Sequence, residues 1–237
     1  MDERKFAAML EEKLTSFETV KDSLVLQLVS RRAKDKMEER GQFFTEYLDM
    51  LIRASCSIEA DGINCSLPVE REWMDKWGIE PQDLFREAMI NTLRLEEPVL
   101  RDMRSQYGAD PDVAPFYILT NKDVCYGASV ILYPQLLERI SDMFDEALLL
   151  VPSSIHEFLV LPGWKEDPQH LKEMVMEVNT KLILMDAFLS NSIYRFGREE
   201  KKLEILPLED VPDPVEEMRK RRKRQEYWQE QSRRILF

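Results

Sequence analysis

Tyr47-Leu48-Asp49-Met50-Leu51-Ile52-Arg53-Ala54-Ser55-Cys56-Ser57-Ile58-Glu59-Ala60-Asp61-Gly62-Ile63-Asn64-Cys65-Ser66-Leu67-Pro68-Val69 is the stretch that decides the fold class of this chain. Near its middle sits Asp61-Gly62, a dipeptide that supplies positive φ at both central positions of a type I′ turn. A two-residue loop there sets Ala60 opposite Ile63, Ile58 opposite Cys65 and Cys56 opposite Leu67. Strand side chains alternate with period two. Leu48, Met50, Ile52, Ala54, Cys56 and Ile58 therefore share a face with Ile63, Cys65, Leu67 and Val69. Asp49, Leu51, Arg53, Ser55, Ser57, Glu59, Asn64 and Ser66 take the other face. One face is apolar and the other mostly polar, in the register the turn demands. This predicts an antiparallel hairpin over Tyr47–Glu59 and Ile63–Val69, with Cys56 and Cys65 as core side chains.

Outward from the hairpin, Phe6, Met9, Leu10, Leu14 and Phe17 recur at helical spacing and predict an N-terminal helix over 2–17. Leu24–Val29 reads as a strand, and Lys34–Arg40 as a charged connection. Pro81 suits the first turn of a helix with Leu84, Phe85, Ala88, Met89 and Leu93 on one stripe, and a second helix is expected over Glu96–Gln106. Phe116–Leu119, Leu148–Val151 and Glu157–Leu161 are strand-like, and Pro134 restarts a helix through Leu137, Ile140 and Phe144. Asp167-Pro168 reads as an N-cap and first turn for a helix bearing Leu171, Met174, Val175 and Val178. Ile193–Phe196 and Lys202–Leu206 suggest a last hairpin around Gly197. Hairpin-joined strands separated by helices predict an α+β fold, a mainly antiparallel sheet with flanking helices. The expected organisation is one α+β domain over 1–206, a proline-rich linker over 207–213 and a basic helical tail over 214–237.

The chain has 237 residues, 44% of them hydrophobic and 33% charged, a composition that folds. Its 7 glycines are nowhere closer than Gly62 and Gly78, so neither a Walker loop nor a GxGxxG fingerprint exists. With 2 His and 3 Cys the usual zinc frameworks are out of reach, and no cofactor is implied. Three cysteines without a CxxC suggest reduced thiols. The opening Met1-Asp2-Glu3-Arg4-Lys5 does not read as a secretory signal, and no stretch approaches the roughly 20 apolar residues of a membrane span. A cytoplasmic protein away from membranes is the expectation. Its charge is uneven. From Pro214 onward eight basic side chains face four acidic ones, a net +4, which leaves −16 for the rest of a chain whose total is −12. Polyanions are repelled by such a body and attracted by such a tail.

Several sequence blocks stand in order along the chain. Trp77-Gly78-Ile79-Glu80, Leu84-Phe85, Ala88 and Asn91-Thr92 form the first block. Phe116-Tyr117-Ile118-Leu119-Thr120-Asn121-Lys122, Tyr126-Gly127-Ala128 and Leu132-Tyr133-Pro134 form the second. Leu150-Val151-Pro152-Ser153-Ser154-Ile155-His156-Glu157, Glu177-Val178-Asn179 and Leu189-Ser190 with Tyr194 complete the pattern. Together these blocks resemble a bacterial family of unknown function; the similarity runs from Leu24 to Ile205 and leaves out the basic tail. The family has no assigned activity. Its members tend to be encoded in mobile elements, which the resemblance turns into the expectation of an accessory role.

Two places invite chemistry. Ser153, Ser154, His156 and Glu157 bring nucleophile, base and carboxylate types together, as a small hydrolase using Ser154 and His156 would need. No GxSxG elbow surrounds them, and a turn between two strands explains the same residues. Glu173 and Glu177, four apart on a helix, have the spacing to share a metal with a partner helix. His170 precedes Glu173 and no Glu-x-x-His companion exists, so a solvated face is the expectation. Asn121-Lys122 with Tyr126 reads as a polar cluster beside a sheet or an ordinary loop. The tail is the stronger feature. Arg219, Lys220, Arg221, Arg222, Lys223 and Arg224, followed by Tyr227 and Trp228, suit a protein partner, or a nucleic acid held by phosphate contacts and base stacking. The leading expectation is a non-enzymatic accessory or regulatory interaction protein. The alternatives are the hydrolase and an acidic inhibitor that mimics nucleic acid with its −16 body.

Overall fold

The computed structural model of the chain describes residues 13–60, 63–103, 116–165, 167–181 and 186–211, together with Lys220 and Arg224. Among these residues the strands make two antiparallel sheets. The first holds β1 (Leu24–Ser30), β2 (Phe44–Tyr47), β3 (Met50–Ala60) and β4 (Ile63–Pro68). β1 runs along one edge of β3, while β2 and β4 follow each other along the opposite edge. The expected register is present: Ala60 pairs with Ile63, Ile58 with Cys65 and Cys56 with Leu67. Asp61 and Gly62 themselves lie outside the described residues. Met50, Ile52, Ala54, Cys56 and Ile58 are buried on the core side.

The hairpin differs from expectation in two respects. The strand does not run unbroken from Tyr47, because Leu48 and Asp49 form a further two-residue turn with Leu48 at φ 55°, and Phe44–Tyr47 folds back as a separate strand. The second face is not open to water either, since Leu51 and Ser55 are both fully buried. Lys34–Arg40, expected as a connection, contains a short helix over Lys34–Glu39.

The second sheet has six strands: β5 (Pro98–Asp102), β6 (Tyr117–Asn121), β7 (Leu148–Ser154), β8 (Glu157–Pro162), β9 (Tyr194–Gly197) and β10 (Lys202–Ile205). Their order is β10-β9-β7-β8-β6-β5, and every pair is antiparallel. This bears out an α+β fold built on antiparallel sheet. The expected helix over 96–106 is corrected: Pro98–Asp102 is a strand paired with Tyr117–Asn121. Pro98 lacks an N–H and drives the residue before it out of the α region, so the preceding helix cannot continue.

Six α-helices complete the described residues: α1 (Phe17–Val20), α2 (Lys34–Glu39), α3 (Arg71–Trp77), α4 (Pro81–Leu95), α5 (Leu136–Phe144) and α6 (Pro168–Lys181). α4 lies against β1 with Leu84 and Ala88 fully buried, while Leu93, expected on the same stripe, is 44% exposed. Two amides of β1 find acceptors outside the sheet. Leu26 N–H donates to Thr92 Oγ1 (2.7 Å) and Leu28 N–H to Ser129 Oγ (2.9 Å). One buried cluster draws on both sheets through Leu28, Met50, Leu119, Leu148, Phe158 and Tyr194. On the other face of the second sheet α6 closes a smaller cluster of Leu149, Val151, Leu161, Leu171 and Ile193. Asp167 caps α6 as expected, its Oδ1 accepting the Gln169 N–H at 2.9 Å.

The linker is not a free spacer over its described part. Leu206 and Leu208 pack into the smaller cluster. Glu209 N–H donates to Gln169 Oε1 (3.0 Å), and Glu209 C=O accepts from Lys172 Nζ (2.9 Å). The expected helices over 2–17 and 214–237 fall mostly outside the described residues. Lys220 and Arg224 are exposed. Among the described residues no helix is long and apolar enough to cross a membrane.

Candidate functional site

The polar groups of the body converge on the loop from Asn121 to Gly127. Asn121 clamps it: its Oδ1 accepts the Cys125 N–H (3.1 Å), and its Nδ2 donates to Cys125 C=O (2.8 Å) and to the Glu96 carboxylate. Two residues of the loop adopt left-handed backbone, Val124 at φ 52° and Tyr126 at φ 50°. Such conformations cost about 1–3 kcal/mol each and persist only where the surroundings enforce them. Gly127 explains part of the enforcement. A Cβ there would lie 2.2 Å from Thr120 Oγ1 and 2.6 Å from both Asn121 N and His156 O, so only glycine permits this approach. Thr120 Oγ1 donates to His156 C=O (2.7 Å), and Tyr126 N–H donates to His156 Nδ1 (3.2 Å). The loop is thereby fastened to the β7–β8 turn.

Beneath the loop lies the second face of the first sheet, organised by Gln27. Its Oε1 accepts from Arg53 Nε (3.2 Å), Arg53 Nη2 (3.1 Å) and Ser55 Oγ (2.8 Å), and its Nε2 donates to Ser66 Oγ (2.6 Å). Arg53 Nη2 also donates to Tyr126 OH at 3.3 Å. Gln27, Ser57, Ser66, Glu96, Cys125 and Tyr126 line a small cleft open to solvent. Burial, and then the Asp123 carboxylate, raise the Glu96 carboxyl above its usual range. Burial followed by Glu96 and Asp123 does the same to the Cys125 thiol, which makes it a poor nucleophile at neutral pH. Burial lowers the Arg53 guanidinium, partly offset by Tyr126.

The residues expected to carry chemistry are placed as follows. Ser153 and Ser154 end β7, and Glu157 opens β8 opposite Ser154. The Ser154 Oγ accepts the backbone N–H of His156 (3.0 Å). The imidazole accepts the Tyr126 N–H on Nδ1, so the neutral ring carries its proton on Nε2. Serine and histidine are thus joined through main chain, and neither imidazole nitrogen is left as a base for Ser154. Glu173 is exposed on α6, its carboxylate 3.8 Å from His170, and Glu177 lies on the same solvent side. Of the tail, Lys220 and Arg224 are described, whereas Arg219, Arg221, Arg222, Lys223, Tyr227 and Trp228 lie outside the described residues.

A second polar cluster went unread in the sequence. Asp49, at the β2–β3 turn, accepts from Ser190 Oγ (2.6 Å), Ser192 Oγ (2.8 Å) and Tyr194 OH, tying the first sheet to β9. For the Gln27 network a signal did exist: one amide side chain inside the apolar run Leu24–Val29. The Asp49 cluster had none, since its members stand some 140 residues apart.

No curated protein matches the chain, and no solved structure does. A family model described as a family of unknown function, DUF5688, matches residues 2–198. The blocks that meet at Asn121–Gly127 and at His156 fall inside that span and the basic tail falls beyond it, so the chain belongs to this family of unknown function.

Proposed function

We propose that the protein is a non-enzymatic accessory protein of the cytoplasm whose α+β body carries a basic arm, residues 214–237, for a macromolecular partner, in the first instance another protein. The separation of charge carries this reading: six consecutive basic side chains, Arg219 to Arg224, stand on a body of net −16. A surface so divided attracts acidic partners at one end only. The chemistry of the body points the same way. The Ser154 hydroxyl and the His156 imidazole are both engaged with backbone N–H groups.

The test compares the full chain with a full-length variant in which Arg219, Lys220, Arg221, Arg222, Lys223 and Arg224 are replaced by Gln. Each is cross-linked in host lysate with and without nuclease. The reading requires a captured protein that survives nuclease and is lost with the Gln variant. Capture that vanishes with nuclease assigns the arm to nucleic acid, with Tyr227 and Trp228 as stacking groups. Equal capture by both chains overturns the role of the arm and moves the working surface to the acidic body.

A further inference from the structure

Arg31, Arg86, Arg94 and Arg198 stand at the surface, and each reaches a carboxylate. Arg53 is half-buried and, among the described residues, reaches none. A cation drawn out of water is costly unless a counter-charge accompanies it. The partners of Arg53 are neutral oxygens. In the planar guanidinium, Nε and one Nη2 proton point together at Gln27 Oε1, and the second Nη2 proton meets the Tyr126 hydroxyl on the end shared with Nη1. Nη1 has no partner among the described residues, yet it is not sealed from solvent. The Tyr126 hydroxyl acts here as an acceptor and keeps its own proton to give. Two donors therefore stand side by side, Nη1–H and the Tyr126 O–H.

Both groups are held from behind. Gln27, 3% exposed, is itself fixed by Ser55 and Ser66. Tyr126 is kept at φ 50° between the close-packed Gly127 and the His156 imidazole. Backbone strain of that kind collects where one side chain must be presented in one way. We propose that Arg53 and Tyr126 together receive the carboxylate of a small ligand, one oxygen on Nη1 and the other on the Tyr126 hydroxyl. The remainder of the ligand lies in the cleft that Gln27, Ser57, Ser66 and Tyr126 help to line. Two oxygens on one carbon match two neighbouring donors, and a weakly hydrated guanidinium suits such a group. Glu96 and Asp123 line the same cleft and repel a second negative charge, so a monocarboxylate is preferred over a phosphate dianion. The site belongs to the body and owes nothing to the basic arm. It goes beyond the partner-binding reading and survives the failure of that reading.

Side-chain NMR of the full chain tests this, with sodium acetate exchanged for sodium chloride at a constant ionic strength of about 0.15 M. The expected result is a saturable shift of the Arg53 guanidinium and Tyr126 ring signals, half complete on the order of 1–10 mM acetate. Inorganic phosphate at about pH 8, where it is a dianion, is expected to need about tenfold more. Arg53→Met keeps the bulk of the stem and leaves Gln27 Oε1 with its Ser55 donor, and it abolishes the Tyr126 shift. Arg31→Gln, at an exposed ion pair, leaves that shift unchanged. Wild-type signals that stay still up to about 0.1 M acetate overturn the site, whatever becomes of the variant. So does a shift that never saturates, or a Tyr126 shift that persists in Arg53→Met. Phosphate binding more tightly than acetate overturns the carboxylate as the ligand group.

Discussion

The Thr92 hydroxyl accepts the Leu26 N–H and donates to Ala88 C=O (2.5 Å), joining α4 to β1 at a site 1% exposed. Thr92→Val keeps the shape and orphans the amide, so it costs about 1–3 kcal/mol, read as a lower urea midpoint with unchanged slope. Glu96 gives a pH signature. Its carboxyl is raised in the folded chain, so the stability its proton contributes is complete below the ordinary carboxylate pKa of about 4.3 and is lost as pH rises through the raised value. Glu96→Gln, uncharged throughout, therefore melts higher than wild type at pH 7 and equally at pH 4. Burial also pushes the Cys56 thiol up to about 12, so a thiol reagent at pH 8 leaves Cys56 unmodified until denaturant is added. Burial of Cys56 was legible from strand alternation alone. Gln27 stood out as an amide inside an apolar run, but its partners Arg53, Ser55 and Ser66 were not legible, because they meet it only after three strands pair.

At the scale of elements, the two hairpins of β3 show where local reading works and where it fails. The turn at Asp61-Gly62 carries its own chemistry, and its register followed from the dipeptide. The turn at Leu48-Asp49 carries none, since leucine is a poor residue for φ 55°. Its partners are distant: Asp49 is held by hydroxyls of Ser190, Ser192 and Tyr194, and Tyr194 is fully buried. Asp49→Ala strands those donors and costs about 2–4 kcal/mol by urea unfolding, with Asp49→Asn costing less because its carbonyl still accepts. Gly127→Ala forces the loop off Thr120 and His156. Its expected result is a marked fall in melting temperature, in contrast to Gly78→Ala, where no atom lies within 4 Å and only the φ of 67° is strained. The strand over Pro98–Asp102 was misread for a related reason: its partner β6 lies across a long segment, and helical spacing before Pro98 dominated the local pattern.

For the whole molecule, class was legible and arrangement was not. Hairpins and apolar runs announced antiparallel strands, but β6 pairs with β8 and not with β7, and β9 adds to the far side of β7, choices made by packing among distant residues. Because one buried cluster takes side chains from both sheets, unfolding is expected as a single cooperative transition, with near- and far-ultraviolet circular dichroism coinciding on heating. Separate midpoints would mean that the sheets melt independently. The hydroxyls of Thr92 and Ser129 also bear on how copies of this chain behave at high concentration. An outer strand normally offers a row of idle amides on which a stray strand can template, the first step towards aggregation. In β1 two of those amides are already occupied, and α4 lies alongside. Strand addition at that edge is thereby hindered, and the rims of the second sheet carry guards of their own: Pro98 interrupts one ladder, and the other, Lys202–Ile205, is four residues long and bears two charges.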